Sequence, residues 1–445
     1  MRKNSKYSTK TTRKPDIMQR YDSYKDSGVK WLGVIPEHWE VKRLASYFTE
    51  RRVKVSDKDF EPLSVTKLGV FRQWENVAKT NDGDNRKLVK KGDFVINSRS
   101  DRKGSSGISD RDGSVSLINI VLQPRKTILA QFSNYLLKSY RFIEEYYRNG
   151  RGIVADLWTT RYDEMKMIKL AIPPLKEQEA IANYLDTATA KIDSAIAQQQ
   201  KMIDLLNERK QIIINNAVTK GLNPNAKMKD SGVEWIGEVP EGWEVRKLKH
   251  IAKIFGRIGF RGYNASDLVD EGEGAITLSP SNMKEHKMQY EKCTYLSWNK
   301  YYESPEIMIK NGDVLFVKTG STYGKSCLVE NLPIEATINP QLVVFKEFNC
   351  SNSFFEYLLQ SNIIRDQVEL SVIGGTIPTI SQEKILNYLV PIPSMEEQLV
   401  IVDTIKSSCK PLNEAIINAN KQISLLQERK QIIINDVVTG KVKVG

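Results

Sequence analysis

Apolar residues recur at alternating steps of three and four along two stretches of the chain. Ile181, Leu185, Ala188, Ile192, Ala195, Met202, Leu206 and Ile213 form one series. Ile401, Ile405, Ser408, Leu412, Ala415, Gln422, Leu426 and Ile433 follow the same steps, with Ser408 and Gln422 as polar interruptions. A heptad pattern of this kind predicts long helices that pack along a seam. Each stretch could reach about 60 Å at ~1.5 Å per residue, and two in one chain most simply pair with each other. The predicted spans are 173–216 and 391–438. Between them the rhythm changes. Gly92-Asp93 and Gly312-Asp313 each precede a short apolar run, a turn leading into a strand. The runs 117–122 and 342–345 predict further strands, and 133–148 and 353–370 predict helices. The globular segments, 21–172 and 229–390, are therefore mixed α+β.

The two halves are copies. Glu208-Arg209-Lys210-Gln211-Ile212-Ile213-Ile214-Asn215 recurs letter for letter from Glu428 to Asn435, 220 positions on. Pro173, Glu177 and Gln178 return as Pro393, Glu397 and Gln398 at the same offset. A segment with Trp31, Gly33, Pro36 and Trp39 returns as Trp235, Gly237, Pro240 and Trp243 at an offset of 204. The second copy thus carries 16 additional residues, inserted before its Gly312. Internal repeats define the architecture before any other feature. Each half reads as a docking segment with large apolar anchors, a globular domain and a long helix. Residues 1–20 read as a flexible basic arm, 217–228 as a linker and 439–445 as a tail.

Charge narrows the partners. The net charge is +12, and the two helical stretches are nearly balanced, so the surplus lies in the arm and the globular segments. A basic globular part beside neutral helices points to a polyanion, most often nucleic acid. No run of 18 apolar residues occurs, so no membrane span is expected, and the basic N-terminus is not a secretory signal. Cys293, Cys327, Cys350 and Cys409 have no C-x-x-C spacing, which favours a reducing cytoplasm over a disulfide scaffold or zinc site.

Several stretches imitate catalytic motifs. Gly320-Ser321-Thr322-Tyr323-Gly324-Lys325-Ser326 has three residues between its glycines, whereas a phosphate-binding loop needs four and a helix after it. Asp16 with Glu40 and Lys42 imitates a nuclease metal site, but the repeat carries Glu244 and Arg246 without an upstream Asp partner. His38, His250 and His286 form no ligand set. Asp82-Gly83-Asp84 and the turn 110–113 lack the distal Glu of a calcium loop. With no methyltransferase-type Asn-Pro-Pro or Asp-Pro-Pro stretch, the chain reads as non-catalytic, with no metal site and no cofactor of its own.

Two polar loops in each domain are suited to DNA. The first follows a strand and holds Arg99, Arg102, Lys103 and Ser105 in one copy, and Lys318, Thr319, Ser321, Tyr323 and Lys325 in the other. The second lies just before the long helix and holds Arg151, Thr160 and Arg161, then Thr376 and Thr379. Arg and Lys neutralise phosphate and read guanine edges, and hydroxyls reach backbone or bases. A scaffold kept twice with different loop contents suits two different half-sites.

The layout resembles the specificity subunit of Type I restriction–modification systems over nearly the whole chain. The resemblance rests on the Trp-x-Gly-x-x-Pro-x-x-Trp segments, the Gly-Asp strands, the Pro-x-x-x-Glu-Gln helix starts and the Glu-Arg-Lys-Gln helix ends, each present twice. It implies two target recognition domains, each reading one part of a bipartite, asymmetric sequence in double-stranded DNA. It also implies an antiparallel helix pair that sets the spacer, giving an internal pseudo-twofold repeat. Two modification subunits would methylate adenine with S-adenosylmethionine, and restriction subunits would add ATP- and Mg-dependent translocation and cleavage. None of that catalysis would lie in this chain. The pseudo-symmetry further predicts that Tyr24 and Lys441 lie close in space. The alternatives are a specificity subunit of a methylation-only complex, a fused enzyme, and a coiled-coil interaction protein that binds no DNA.

Overall fold

The structure is a computed structural model of the 445-residue chain and describes residues 19–73, 83–152, 158–257, 259–372 and 378–444. The chain divides into two compact units. The described residues up to Gln199, with those from Lys421 onward, form the first, and Gln200–Asn420 forms the second.

In the first unit the docking segment is a hairpin, Tyr24–Asp26 against Val34–Pro36. Glu40–Arg43 then pairs antiparallel with Lys169–Ile172, so the first and last strands of the globular segment close on each other. The central antiparallel sheet has the order Ser106–Ile108, Phe94–Asn97, Asn119–Pro124, Phe48–Glu50. The Gly-Asp motif earns its place here. Gly92 takes φ +91°, and the buried Asp93 carboxylate accepts from the Lys90 amide at 2.8 Å and from Arg51 Nε at 2.6 Å. Only the end of the apolar run 117–122 is strand. Leu117 and Ile118 form the exposed turn before it, because the preceding strand, Gly113–Ser116, must reverse direction. The predicted helix 133–148 is two helices, α1 (Ala130–Lys138) and α2 (Tyr140–Arg148). Ser139 breaks them with an extended backbone, and its hydroxyl accepts from the Phe142 amide as the N-cap of α2. A short α3 (Tyr162–Met165) and the long α4 (Leu175–Lys220) follow.

The second unit repeats this plan. Its sheet runs Ser326–Leu328, Val314–Val317, Leu342–Lys346, Lys253–Gly256, the same order as in the first unit. Gly312 takes φ +94°, and Asp313 accepts from the Lys310 amide and from Lys346 Nζ, each at 2.8 Å. Residues from the longer stretch before Gly312 contribute most of a second four-stranded sheet, the hairpin Met283–Lys284/Lys287–Met288 and α5 (Trp298–Tyr302). The predicted helix 353–370 is again split, into α6 (Asn352–Leu359) and α7 (Asn362–Ser371), at the extended Ser361. α8 (Gln382–Leu386) and the long α9 (Met395–Val438) complete the unit, with the end of α9 belonging to the first.

The long helices pack antiparallel in each unit. Ile181, Leu185 and Ile192 from early α4 share a core with Ile433, Ile434, Val437 and Val438 from late α9. Ile214, Ala217 and Val218 from late α4 share another with Ile401, Ile405 and Cys409 from early α9. Leu426 and Ile213 pack half-buried against these cores, and Leu206 and Leu412 are half-buried. The helix ends differ from the predicted spans. α4 continues past 216 to Lys220 because Ala217 and Val218 are buried and no breaker precedes Gly221, at φ +72°. α9 starts at Met395 and not at 391, because Leu389–Ile392 is a strand paired with Glu244–Lys247. The Tyr24 hydroxyl donates to the Lys441 carbonyl at 3.2 Å, and the Lys443 amide to that of Gln19 at 2.8 Å, as the pseudo-symmetry predicts.

Candidate nucleic-acid interface

The repeated motifs fix each globular fold onto its helix. Trp39 is fully buried, and its indole N–H donates to Glu177 at 3.1 Å; the Tyr21 hydroxyl donates to the same carboxylate at 2.5 Å. Trp243 donates to Glu397 at 3.0 Å. The neighbouring glutamines complete the joint. Gln178 accepts from the Leu129 amide and donates to the Pro173 carbonyl, while Gln398 accepts from the Ser351 amide and donates to the Pro393 carbonyl. The helix-end motif does similar work, since Asn215 accepts from the Asn362 amide and Asn435 from that of Arg141. The first tryptophan of each docking segment is not the expected full anchor. Trp31 is half-buried and Trp235 is 49% exposed.

Held on this frame, the two predicted loops of each domain meet. In the first unit the Ser100 amide donates to the Trp158 carbonyl at 2.9 Å, and the Thr160 amide to that of Ser98 at 3.0 Å. In the second the Gly320 amide donates to the Pro378 carbonyl at 3.0 Å, and the Ile380 amide to that of Lys318 at 2.9 Å. The four positions correspond one to one at the offset of 220. Arg99 bridges Thr159 as Thr319 bridges Thr379. The backbone frame is thus common to both units while the side chains on it differ.

Arg99, Arg102, Arg151 and Arg161 are exposed, and Lys103 is half-exposed, paired with Glu144 at 2.7 Å. Arg102 and Arg151 lie within 3.7 Å and 3.6 Å of Asp101 and Glu164. The second unit offers a less cationic surface. Ser321 and Thr379 are exposed, and the Thr319 and Thr379 hydroxyls hydrogen-bond each other at 2.5 Å. Lys318 is half-buried, and burial pulls its ammonium below the ordinary lysine range. Lys325 spends its ammonium on the Met283 carbonyl at 2.5 Å, and Tyr323 packs against the core with its hydroxyl 3.4 Å from Glu369. Two predicted contacts are corrected: Ser105 and Thr160 are buried. Thr160 is fully inaccessible because its hydroxyl caps the Tyr146 carbonyl at 3.2 Å. Thr376 lies outside the described residues, as do Asp16 and Asp82. Trp158, at the junction of the first unit's loops and 37% exposed, was missed; alternation and charge give an isolated Trp no signal.

The catalytic look-alikes resolve as structure. The strand Ser326–Leu328, not a helix, follows the glycine loop at 320–324. His38 lies 2.7 Å from Glu177 within the docking joint. Among the described residues no group of three or more His, Cys, Asp or Glu could hold a metal ion, and no helix is long and apolar enough to cross a membrane. Burial pushes the thiols of Cys327 and Cys350 up to about 12, so neither is a thiolate at neutral pH.

The type I restriction modification DNA specificity domain matches residues 36–203 and 240–424, once in each half. The type I restriction enzyme MjaVIII specificity subunit of Methanocaldococcus jannaschii is 25% identical, covering 96% of this chain and 98% of the relative. The EcoKI specificity subunit of Escherichia coli K12 is 22% identical over 67% of this chain and 64% of its own. A solved structure described under complex assembly and conformational transition of the type I R-M system shares the fold. Its TM-score is 0.63 at 15% identity, covering 91% of this chain and 98% of that one.

Proposed function

Because this chain belongs to the type I restriction-modification DNA specificity family, as the non-catalytic DNA specificity subunit of such a system, we propose that each unit reads one part of a bipartite, asymmetric DNA target through its paired loops. The observation that carries this reading is the duplicated loop frame, whose four backbone positions correspond between the units while the side chains beside them differ, Arg99 standing where the second unit has Thr319. Target recognition domains 21–172 and 229–390 are the readers in this proposal, and α4 with α9 is the spacer between them. Arg99, Arg102, Arg151 and Arg161 supply the phosphate and guanine contacts of one half. Lys318, Thr319, Ser321 and Thr379 serve the other, read mainly by neutral hydroxyls.

Subunits of the complex would dock on the repeated scaffold. Leu205 and Ile212 are 55% and 52% exposed on α4, and their repeat mates Leu425 and Ile432 are 48% and 50% exposed on α9. Each pair is a heptad step apart, so each unit offers one equivalent apolar stripe, which suits two copies of one partner. By contrast Ile203 and Ile416 are buried within the chain. The proposed occupants are two adenine-modifying subunits carrying S-adenosylmethionine. Restriction subunits would bring the ATP and Mg of translocation and cleavage. Four unpaired cysteines suit the reducing cytoplasm where such a complex would act.

The test is duplex binding by the full chain with its modification subunits over a salt series. Target affinity that falls steeply as salt rises supports phosphate-anchored recognition. Salt-insensitive or absent binding would move the chain to the interaction-protein alternative. Methyl transfer or cleavage by the chain alone would contradict a purely recognising role.

A further inference from the structure

The loop frame of the first unit borders a cleft of about 710 Å³, within the ~300–1,000 Å³ range of small-ligand sites. Its aromatic walls come from three elements: Trp158 from the paired loops, Tyr140 from the start of α2, and Trp31 from the docking hairpin. Trp158 and Tyr140 are 37% and 60% exposed. The rim is cationic. Lys103 and Arg148 are matched by Glu144 and Glu145 at 2.7 Å and 2.8 Å, which leaves the charges of Lys30 and Arg141 in excess. In the second unit the residue at the same point of the frame is Pro378, whose carbonyl accepts the equivalent hydrogen bond.

We propose that this cleft is a nucleobase-stacking site, confined to the half-site contacted by the first unit, in which the indole of Trp158 takes the face of one base. The inference rests on the reading of the chain as a DNA-recognition subunit and adds a specific contact to it. Every base has a π-face, so an exposed Trp beside phosphate-binding cations holds a base that leaves its neighbours in the stack. Tyr140 and Trp31 supply an apolar surround that water does not offer. The excess positive charge of Lys30 and Arg141 complements the flanking phosphates. Pro378 lacks a π-face, so the second half-site is read without this contact.

The experiment uses the full chain assembled with its modification subunits and the target duplex mapped for that complex. A series of duplexes lacks one base at a time across both half-sites. The expected result is one position in one half-site where loss of the base weakens binding of the wild-type complex about 5- to 100-fold, the scale of a base–aromatic stack. Trp158→Ala should weaken binding to the intact duplex by a similar factor and abolish the difference at that position alone. Trp158→Phe should restore most of it. Tyr140→Ala, at an exposed ring where folding is not at stake, should reduce the same difference. Equal target affinity for Trp158→Ala and wild type overturns the proposal. So does a loss that is uniform across all abasic duplexes, which would mark a merely structural residue or a protein partner in the cleft. A wild-type complex with no target preference would instead defeat the functional reading itself.

Discussion

Single residues carry the joints of this molecule, and the repeat shows which ones. Trp39 and Glu177 form the same contact as Trp243 and Glu397. Trp39→Ala removes a fully buried indole and leaves Glu177 short of a donor, so unfolding should become easier by about 3–5 kcal/mol in a denaturant titration. Glu356 makes a different prediction. It is buried on α6 beside a small cavity, and desolvation raises its carboxyl to about 8. His286 and Glu285 of the hairpin, Glu330, Tyr357, Lys210 of α4 and Lys406 of α9 surround that cavity. Between the ordinary carboxyl pKa and about 8 the folded chain holds a proton that the unfolded chain releases. Stability from this group is therefore present at low pH and lost as pH rises through about 8. Thermal melts at pH 5, 7 and 9 should show the loss in wild type and a smaller one in Glu356→Gln; identical profiles would contradict it. Neither residue's role could be read from one position in the sequence. Glu177 stood out because it recurs, and Glu356 had nothing to mark it.

Elements were legible where their signal was long. Two heptad series gave α4 and α9, of 46 and 44 residues, and the Gly-Asp turns gave the central strands. The breaks at Ser139 and Ser361 were not legible, since an apolar pattern does not show where a buried serine turns the backbone extended; at Ser139 the hydroxyl also caps the next helix. The exposed Asp193–Lys430 pair between the helices adds little, because surface ion pairs contribute about 0–1 kcal/mol. The helix-start glutamines contribute more. Gln178→Ala would leave the Leu129 amide without its acceptor and should cost about 1–3 kcal/mol, with a like effect for Gln398→Ala at Ser351. Chemical denaturation of each variant checks this, and a change below a few tenths would contradict it. The spacer role is testable in the same elements. Seven residues inserted in both α4 and α9 lengthen each by ~10.5 Å. At ~3.4 Å per base pair, the target spacer should grow by about three base pairs. An unchanged spacer would rule out the helices as the ruler.

At the scale of the whole chain, duplication is the organising fact, and it is plain in the sequence itself. It predicted the contact between Tyr24 and Lys441, and it separates what is common from what is particular. The common parts are joints, central sheets, helix ends and exposed stripes; the particular parts are the loop side chains and the second unit's added sheet, hairpin and α5. Which of those side chains face outward was not legible, because loop composition does not reveal burial. Thr160 and Ser105 looked like readers and are interior, while Trp158 looked like nothing and is exposed. The stripes give a partner test. Leu205→Lys with Leu425→Lys should abolish co-purification of a modification subunit and leave the fold intact by circular dichroism; retained partner would contradict their role. Mapping methylated adenines in cells that carry the modification subunit shows whether the two loop frames read two different half-sites. Three states are compared: the chain present, absent, or carrying Thr319→Ala with Thr379→Ala. The expected result is one bipartite motif with a fixed spacer, lost without the chain and relaxed in one half only by the double variant. Methylation that persists unchanged without the chain would contradict it.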